Sequence, residues 1–282
     1  MRRLSKALVG KNLGRLPFVK SAYYKIFFRT MPDTVEVNGM KMRVNKEDRF
    51  VSAEILTNGV YERFETDLIK NEVKEGMTVI DAGANIGYFT LLFAKLVGPT
   101  GKVYAFEPDP DNFSILKGNV ELNGLGNVVL VNRALSDSVG VADLFLSETN
   151  KGAHSLFDFN KGKRTIKIET TTIDEYFKDL DHQVDFVKMD AEGAEGKIMS
   201  GMRNFLRINR KLKVLTEFSV IGLNSSGIRP EDFLKAFADH GFEIFNIDGG
   251  RNLLQPVDVE RDSDELIKSK GGSNNLFCVR RV

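Results

Sequence analysis

One cysteine, Cys278, stands in a chain of 282 residues. A lone thiol excludes an intrachain disulfide and any multi-cysteine zinc centre, and it fits a reducing, cytoplasmic setting. No apolar run approaches the roughly 18 residues that a spanning helix needs. The stretch between Arg3 and Lys11 has too short an apolar core for a secretory signal. Net charge is also scarce: a formal +1 argues against an overall electrostatic grip on nucleic acid. Internal repeats and low-complexity tracts are missing too. What remains, 42% hydrophobic and 28% charged residues, is the composition of an ordinary folded soluble protein.

The little net charge is unevenly placed. Residues 1–30 carry Arg2, Arg3, Lys6, Lys11, Arg15, Lys20, Lys25 and Arg29 and no acidic residue. After Pro17, Val19, Ala22, Tyr23, Ile26 and Phe27 recur at three- and four-residue spacing, which predicts an amphipathic helix. Such a helix could make peripheral contact with an anionic membrane, receive an acidic acceptor, or pack on its own domain with its charges solvated. Next, Val35 and Val37 alternate before Asn38-Gly39, and Met40, Met42 and Val44 alternate after it: a hairpin with a two-residue turn. Residues 1–58 therefore read as a basic helix and β-hairpin extension, and 59–282 as the main domain.

From residue 78, short β-branched runs alternate with helical stretches, the mark of βαβ units. The predicted strands are 78–81, 102–107, 128–132, 184–189, 213–217, 242–247 and 275–279. The fold class that follows is α/β: a Rossmann-like, mostly parallel seven-stranded sheet with helices on both faces. Residues 139–173 interrupt it with two strand-like runs, read as an inserted β-hairpin.

The strongest local signal is VIDAGANIGYFT, residues 79–90: a strand ending in Asp81, glycines at 83 and 87, then a helix. Glycine there lets the backbone turn tightly and approach a ligand. A dinucleotide fingerprint would place a second glycine where Asn85 stands, so the pattern suits a ligand with no phosphate to cradle. Asp81 is a candidate for the ammonium of an amino-acid moiety. The second signal is Glu107, ending the next strand in VYAFEPDP, where a carboxylate can accept from both hydroxyls of a ribose. Either acid alone could be a turn former or helix cap; the ordered pair points to adenosine. The segment VNRALSD, residues 131–137, leaves the third strand where Asn132, or the backbone around Ala134 and Leu135, could meet the adenine edge.

DAGANIGYFT, FEPDP, the LNG at 122–124, ALSD at 134–137 and KMDAEGAE at 188–195 together resemble the FkbM family of methyltransferases, over roughly residues 59–248. The resemblance implies a class I fold and S-adenosylmethionine as cofactor, with Asp81, Gly83, Asn85, Gly87 and Glu107 in binding positions. Tyr61-Glu62 matches the family's upstream element, which makes Glu62 a further cofactor candidate. O-Methylation of a sugar, glycolipid or natural product is the activity implied, so the expected partner is a small-molecule or glycan- or lipid-linked acceptor and not nucleic acid.

The run VDFVKMDAEGAEG, residues 184–196, discharges an apolar strand into Asp190, Glu192 and Glu195. Ligands in open parallel sheets bind beyond the strands' carboxyl ends, so Asp190 is placed near the cofactor's reactive end. Asp190 and Glu192 are candidate catalytic acids. His154, in the inserted loop, is a third candidate for proton transfer, or simply an exposed or hydrogen-bonded side chain. Glu217 also ends a strand, and with Asp190 it invites a divalent cation such as magnesium; helix-end stabilisation is the alternative. Two other readings stand beside methyl transfer: a nicotinamide-dependent oxidoreductase, and a membrane-associated protein with an inactive nucleotide pocket.

Overall fold

The computed structural model describes residues 32–46, 48, 50–147, 154–157, 164–180, 183–268 and 273–280. The basic helix expected before residue 31 lies outside them. Hairpin strands β1 (Thr34–Val37) and β2 (Met40–Arg43) pair antiparallel, Val37 opposite Met40. Asn38 and Gly39 take φ of 53° and 72°, the left-handed pair that a tight hairpin turn demands. Helices α1 (Val51–Asn58) and α2 (Arg63–Glu72) follow. Then come β3 (Thr78–Ala82), α3 (Tyr88–Val97), β4 (Lys102–Phe106), α4 (Pro110–Leu122) and β5 (Val128–Val131). The insertion supplies β6 (Ala134–Leu135), β7 (Gly140–Phe145) and β8 (Thr165–Thr171). The chain continues through α5 (Ile173–Tyr176), β9 (Phe186–Met189), α6 (Glu195–Ser200), α7 (Arg203–Ile208), β10 (Lys213–Ser219), α8 (Val220–Ser225) and α9 (Pro230–Asp239). It ends with β11 (Phe242–Asp248), β12 (Leu253–Val257), α10 (Val259–Lys268) and β13 (Ser273–Arg280).

The main sheet has eight strands in the order β12-β11-β13-β10-β9-β3-β4-β5. The run from β10 to β5 is parallel throughout, and β13 enters antiparallel between β10 and β11. The expected seventh strand is therefore not the last: β12 adds an edge, paired antiparallel with β11. Pro256 hides it from a strand pattern, since proline cannot donate to a ladder; an edge position tolerates it. The insertion is likewise larger than a hairpin, because β6 joins β8 in parallel to make a three-stranded sheet.

Successive side chains of each buried strand point to opposite faces, and both faces are apolar here. Val79, Val103 and Phe186 pack with α2, α3 and the hairpin on one face. Ile80, Phe106 and Val187 pack with α6, α7 and α9 on the other. Strand order runs outward from β3 to β4 and β5, then the chain crosses to β9 on the opposite side of β3. This reversal opens a crevice beyond the carboxyl ends of β3 and β9, the place where doubly wound sheets bind ligands. Among the described residues, no helix is long and apolar enough to cross a membrane.

Candidate active site

The crevice is floored by the turn after β3. Gly83 holds φ of 84°, and a Cβ there would collide with the carbonyl oxygen of Asp190. Only glycine lets the turns after β3 and β9 touch. Gly87, with φ of 96°, precedes α3 and packs where a Cβ would meet Leu116 of α4 at 2.6 Å, so it serves helix packing. Asn85 sits at φ of 52°, the left-handed region that asparagine tolerates better than most side chains.

Glu107, one residue past β4, is buried and receives backbone N–H groups on both oxygens. Asn85 donates to Oε2 at 2.8 Å and Asp109 to Oε1 at 2.9 Å. Burial pushes its carboxyl up to about 8, and those two donors only partly offset the rise. A cavity opens beside it, its lining including Gly83, Asn85, Glu107, Phe106, Leu135 and Ile198. Ala134 lines it as well. Asn132 does not: its side chain is exposed and its Nδ2 donates to the carbonyls of Glu107 and Pro108 at 2.8 and 3.1 Å. It braces the strand end instead of meeting a ligand edge.

Asp81 also stands apart from the cavity walls. It is 1% exposed, its Oδ2 accepts from the Thr90 hydroxyl at 2.6 Å, and its Oδ1 is buried without a hydrogen bond. Burial raises its pKa, opposed by the Lys188 ammonium. Asp81 thus supports the turn from beneath.

The insertion contributes Leu144, His154 and Leu156 to the lining of the first cavity. The Ser155 hydroxyl donates to the Glu192 carbonyl at 2.7 Å. The His154 side chain is buried, and its Nδ1 accepts from the Ser147 N–H at 2.9 Å. The neutral ring then carries its proton on Nε2, which lies 3.9 Å from Asp109 Oδ2. In this tautomer His154 offers a donor, and acting as a base would require giving up the bond to Ser147.

A second cavity adjoins the first and shares Gly83, Asn85, Asp190 and Glu192 with it. Its chemistry centres on Lys188, the first residue of KMDAEGAE, to which the sequence alone gives no role. The Lys188 side chain is 4% exposed, its Nζ lies 2.9 Å from Asp190 Oδ2 and it sits 4.4 Å above the centre of the Phe89 ring. Burial alone would lower its pKa, but Asp190, Glu62 and Asp81 overcome that and hold it above the ordinary lysine value. The signal that could have found it is in VDFVKMD, where a lysine interrupts a strand buried on both faces, as no solvated lysine would.

The acids around this pair are crowded. Glu62 opens α2 at φ of 42° and is pushed by burial up to about 8; Glu192 is pushed up to about 9, by burial and then by Asp190 and Glu217. Glu195 is fully buried, with Oε1 accepting from the Ala191 N–H at 2.6 Å and Oε2 unpartnered. Nothing in this geometry supports the divalent cation expected at Asp190 and Glu217. Among the described residues no three His, Cys, Asp or Glu side chains gather as a metal site, and Asp190 is committed to an ammonium.

A carboxylate at a strand end, a glycine turn and an apolar slot with no run of phosphate-binding N–H groups suit a nucleoside whose tail bears no phosphate. The comparisons with known proteins agree. Methyltransferase sdnD of Sordaria araneosa is 29% identical over 230 residues, covering 70% of this chain and 83% of its own. The hexuronic acid methyltransferase AglP of Haloferax volcanii is 29% identical over 182 residues, covering 63% and 69%. The 31-O-demethyl-FK506 methyltransferase FkbM of Streptomyces tacrolimicus is 39% identical over 95 residues, 34% of each chain. The model of the methyltransferase FkbM domain matches residues 81–244, from the acid beneath the glycine turn to the strand beyond α9. With more than half its length matched and the cofactor crevice wholly inside that span, this chain belongs to the FkbM family of methyltransferases.

Proposed function

We propose that the protein is an S-adenosylmethionine-dependent O-methyltransferase acting on a hydroxyl of a sugar, glycolipid or natural product. The observation that carries this reading is the junction of the two cavities. One holds Glu107 for a ribose, and both are bordered by Asp190 and Glu192 where the ligands would meet. S-Adenosylmethionine, when bound, supplies an activated methyl group on a sulfonium. The protein's own work is to orient and to manage a proton. Glu107 would hold the ribose hydroxyls, and Phe106, Leu135 and Ile198 the adenine faces. Asp190, steadied by Lys188 through Oδ2, would take the acceptor's proton on its other oxygen. Glu192 keeps its own proton at neutral pH and would donate a hydrogen bond. The names of two relatives, a hexuronic acid enzyme and a 31-O-demethyl-FK506 enzyme, support an oxygen-bearing small molecule as acceptor.

The test is titration calorimetry. Glu107→Ala should weaken S-adenosylmethionine binding by about 1–3 kcal/mol, the worth of one or two hydrogen bonds to the ribose hydroxyls. An unchanged affinity in a folded variant would remove Glu107 from the site and the nucleoside reading with it.

A further inference from the structure

The two cavities share a floor but differ in their walls. The first sets Phe106, Leu135 and Ile198 beside Glu107, Arg133 and His154. The second is walled by Phe50, Val51, Tyr61, Tyr88, Phe89 and Lys188. Its aromatic rings form a packed set: Tyr61 meets Tyr88 edge-on at 5.7 Å between centroids, and Tyr88 meets Phe89 edge-on at 5.0 Å. Phe50 is 56% exposed, a large apolar side chain left at the mouth of a cavity and not in a core. Such a wall offers carbon faces to a ring or chain. The Tyr88 hydroxyl is already engaged by Asn38 Nδ2 and the Thr66 hydroxyl, so the polar work falls to Asp190 and Glu192.

Charge decides what can enter. The wall holds two acids and one cation, and that cation is spent on one of the acids at 2.9 Å. An anion would face the negative charge of Asp190, and the one cation of the wall is already neutralised by that same acid at 2.9 Å, so no uncompensated positive charge is left to receive it. A neutral hydroxyl meets no such conflict, since it can donate to a carboxylate and accept from a protonated acid. Burial pushes the Glu192 carboxyl up to about 9, so this cavity-lining acid can donate at neutral pH.

We infer that the second cavity is the acceptor subsite, and that it selects electroneutral hydroxyl compounds with an apolar face over carboxylate- or phosphate-bearing ones. This rests on the methyl-transfer reading, because the first cavity must hold the cofactor.

The experiment uses the full chain saturated with S-adenosylhomocysteine, with saturation established by calorimetry. Phenyl β-glucopyranoside and phenyl β-glucuronide are titrated as probes by ligand-observed NMR; they differ only in a hydroxymethyl group against a carboxylate. The glucoside should bind at least tenfold more tightly. Phe50→Ala should weaken it at least threefold, and Asp190→Asn should narrow the preference for the neutral probe. Melting curves show whether each variant is folded. A glucuronide bound as tightly as the glucoside, or no glucoside binding to the saturated protein, overturns the inference and leaves methyl transfer standing. Failure to bind S-adenosylhomocysteine at all overturns both.

Discussion

Gly83 carries more constraint than any other residue of the crevice. Its φ of 84° admits a side chain only with strain, and its missing Cβ makes room for the Asp190 carbonyl oxygen. Gly124, with φ of 61°, has the same backbone problem, but a Cβ there would meet nothing within 4 Å. The two separate strain from contact. Gly124→Ala should cost about 1–3 kcal/mol of stability and leave S-adenosylmethionine binding alone. Gly83→Ala should cost at least as much and lower affinity more than tenfold, because the turns after β3 and β9 must part. Denaturant melts and calorimetry on both variants decide it; normal binding by Gly83→Ala would mean the two turns need not touch.

At the scale of elements, the β1–β2 hairpin is held by a helix acting as a surrogate strand. Asn119 of α4 accepts from the Arg43 N–H at 2.7 Å and donates to its carbonyl at 3.1 Å. One turn on, Asn123 accepts from the Lys41 N–H at 2.9 Å and donates to its carbonyl at 2.6 Å. The edge of β2 is thereby satisfied without another strand. Asn119 also donates to the Ile86 carbonyl at 2.8 Å, tying the hairpin to the glycine turn. Asn119→Ala should cost about 1–3 kcal/mol, since it leaves buried groups unpaired, while the half-exposed Asn123→Ala should cost less. Equal costs in urea melts would contradict that ranking. The hairpin itself is legible in the sequence because Asn38-Gly39 is a local signal, and the order strand, Asp81, glycine turn, helix, strand, Glu107 is legible because each part follows from backbone geometry. Lys188 is legible only as an anomaly, a lysine inside an apolar strand; its partners Phe89, Asp81 and Glu62 are brought to it by the tertiary fold. Asn132 misleads for the converse reason: an amide at a strand end looks the same in sequence whether it faces a ligand or the neighbouring loop.

For the molecule as a whole, the crevice concentrates acids that the fold strains to keep. Burial is the first cause in each case, lifting Glu62, Glu107 and Glu195 to about 8 and Glu192 to about 9. Groups raised in the folded state bind protons there that the unfolded chain has released. Stability should therefore be fullest below the ordinary glutamate value near 4.5 and fall as pH climbs from there to 8 or 9. The melting temperature of the ligand-free protein should drop between pH 5.5 and 9. Glu195→Gln, which keeps the acceptor for Ala191 and removes the charge, should recover roughly 2–4 °C at the alkaline end. A melting temperature that stays flat or rises with pH would show that these acids titrate freely. The division of walls between the two cavities has a consequence for how the family can diversify. Phe50, Val51 and Tyr61 precede residue 81, where the family match begins, whereas the cofactor crevice lies inside it. On the proposed acceptor reading, that part of the wall could change without altering the glycine turn or Glu107, while Tyr88, Phe89, Lys188, Asp190 and Glu192 of the same cavity stay within the matched span.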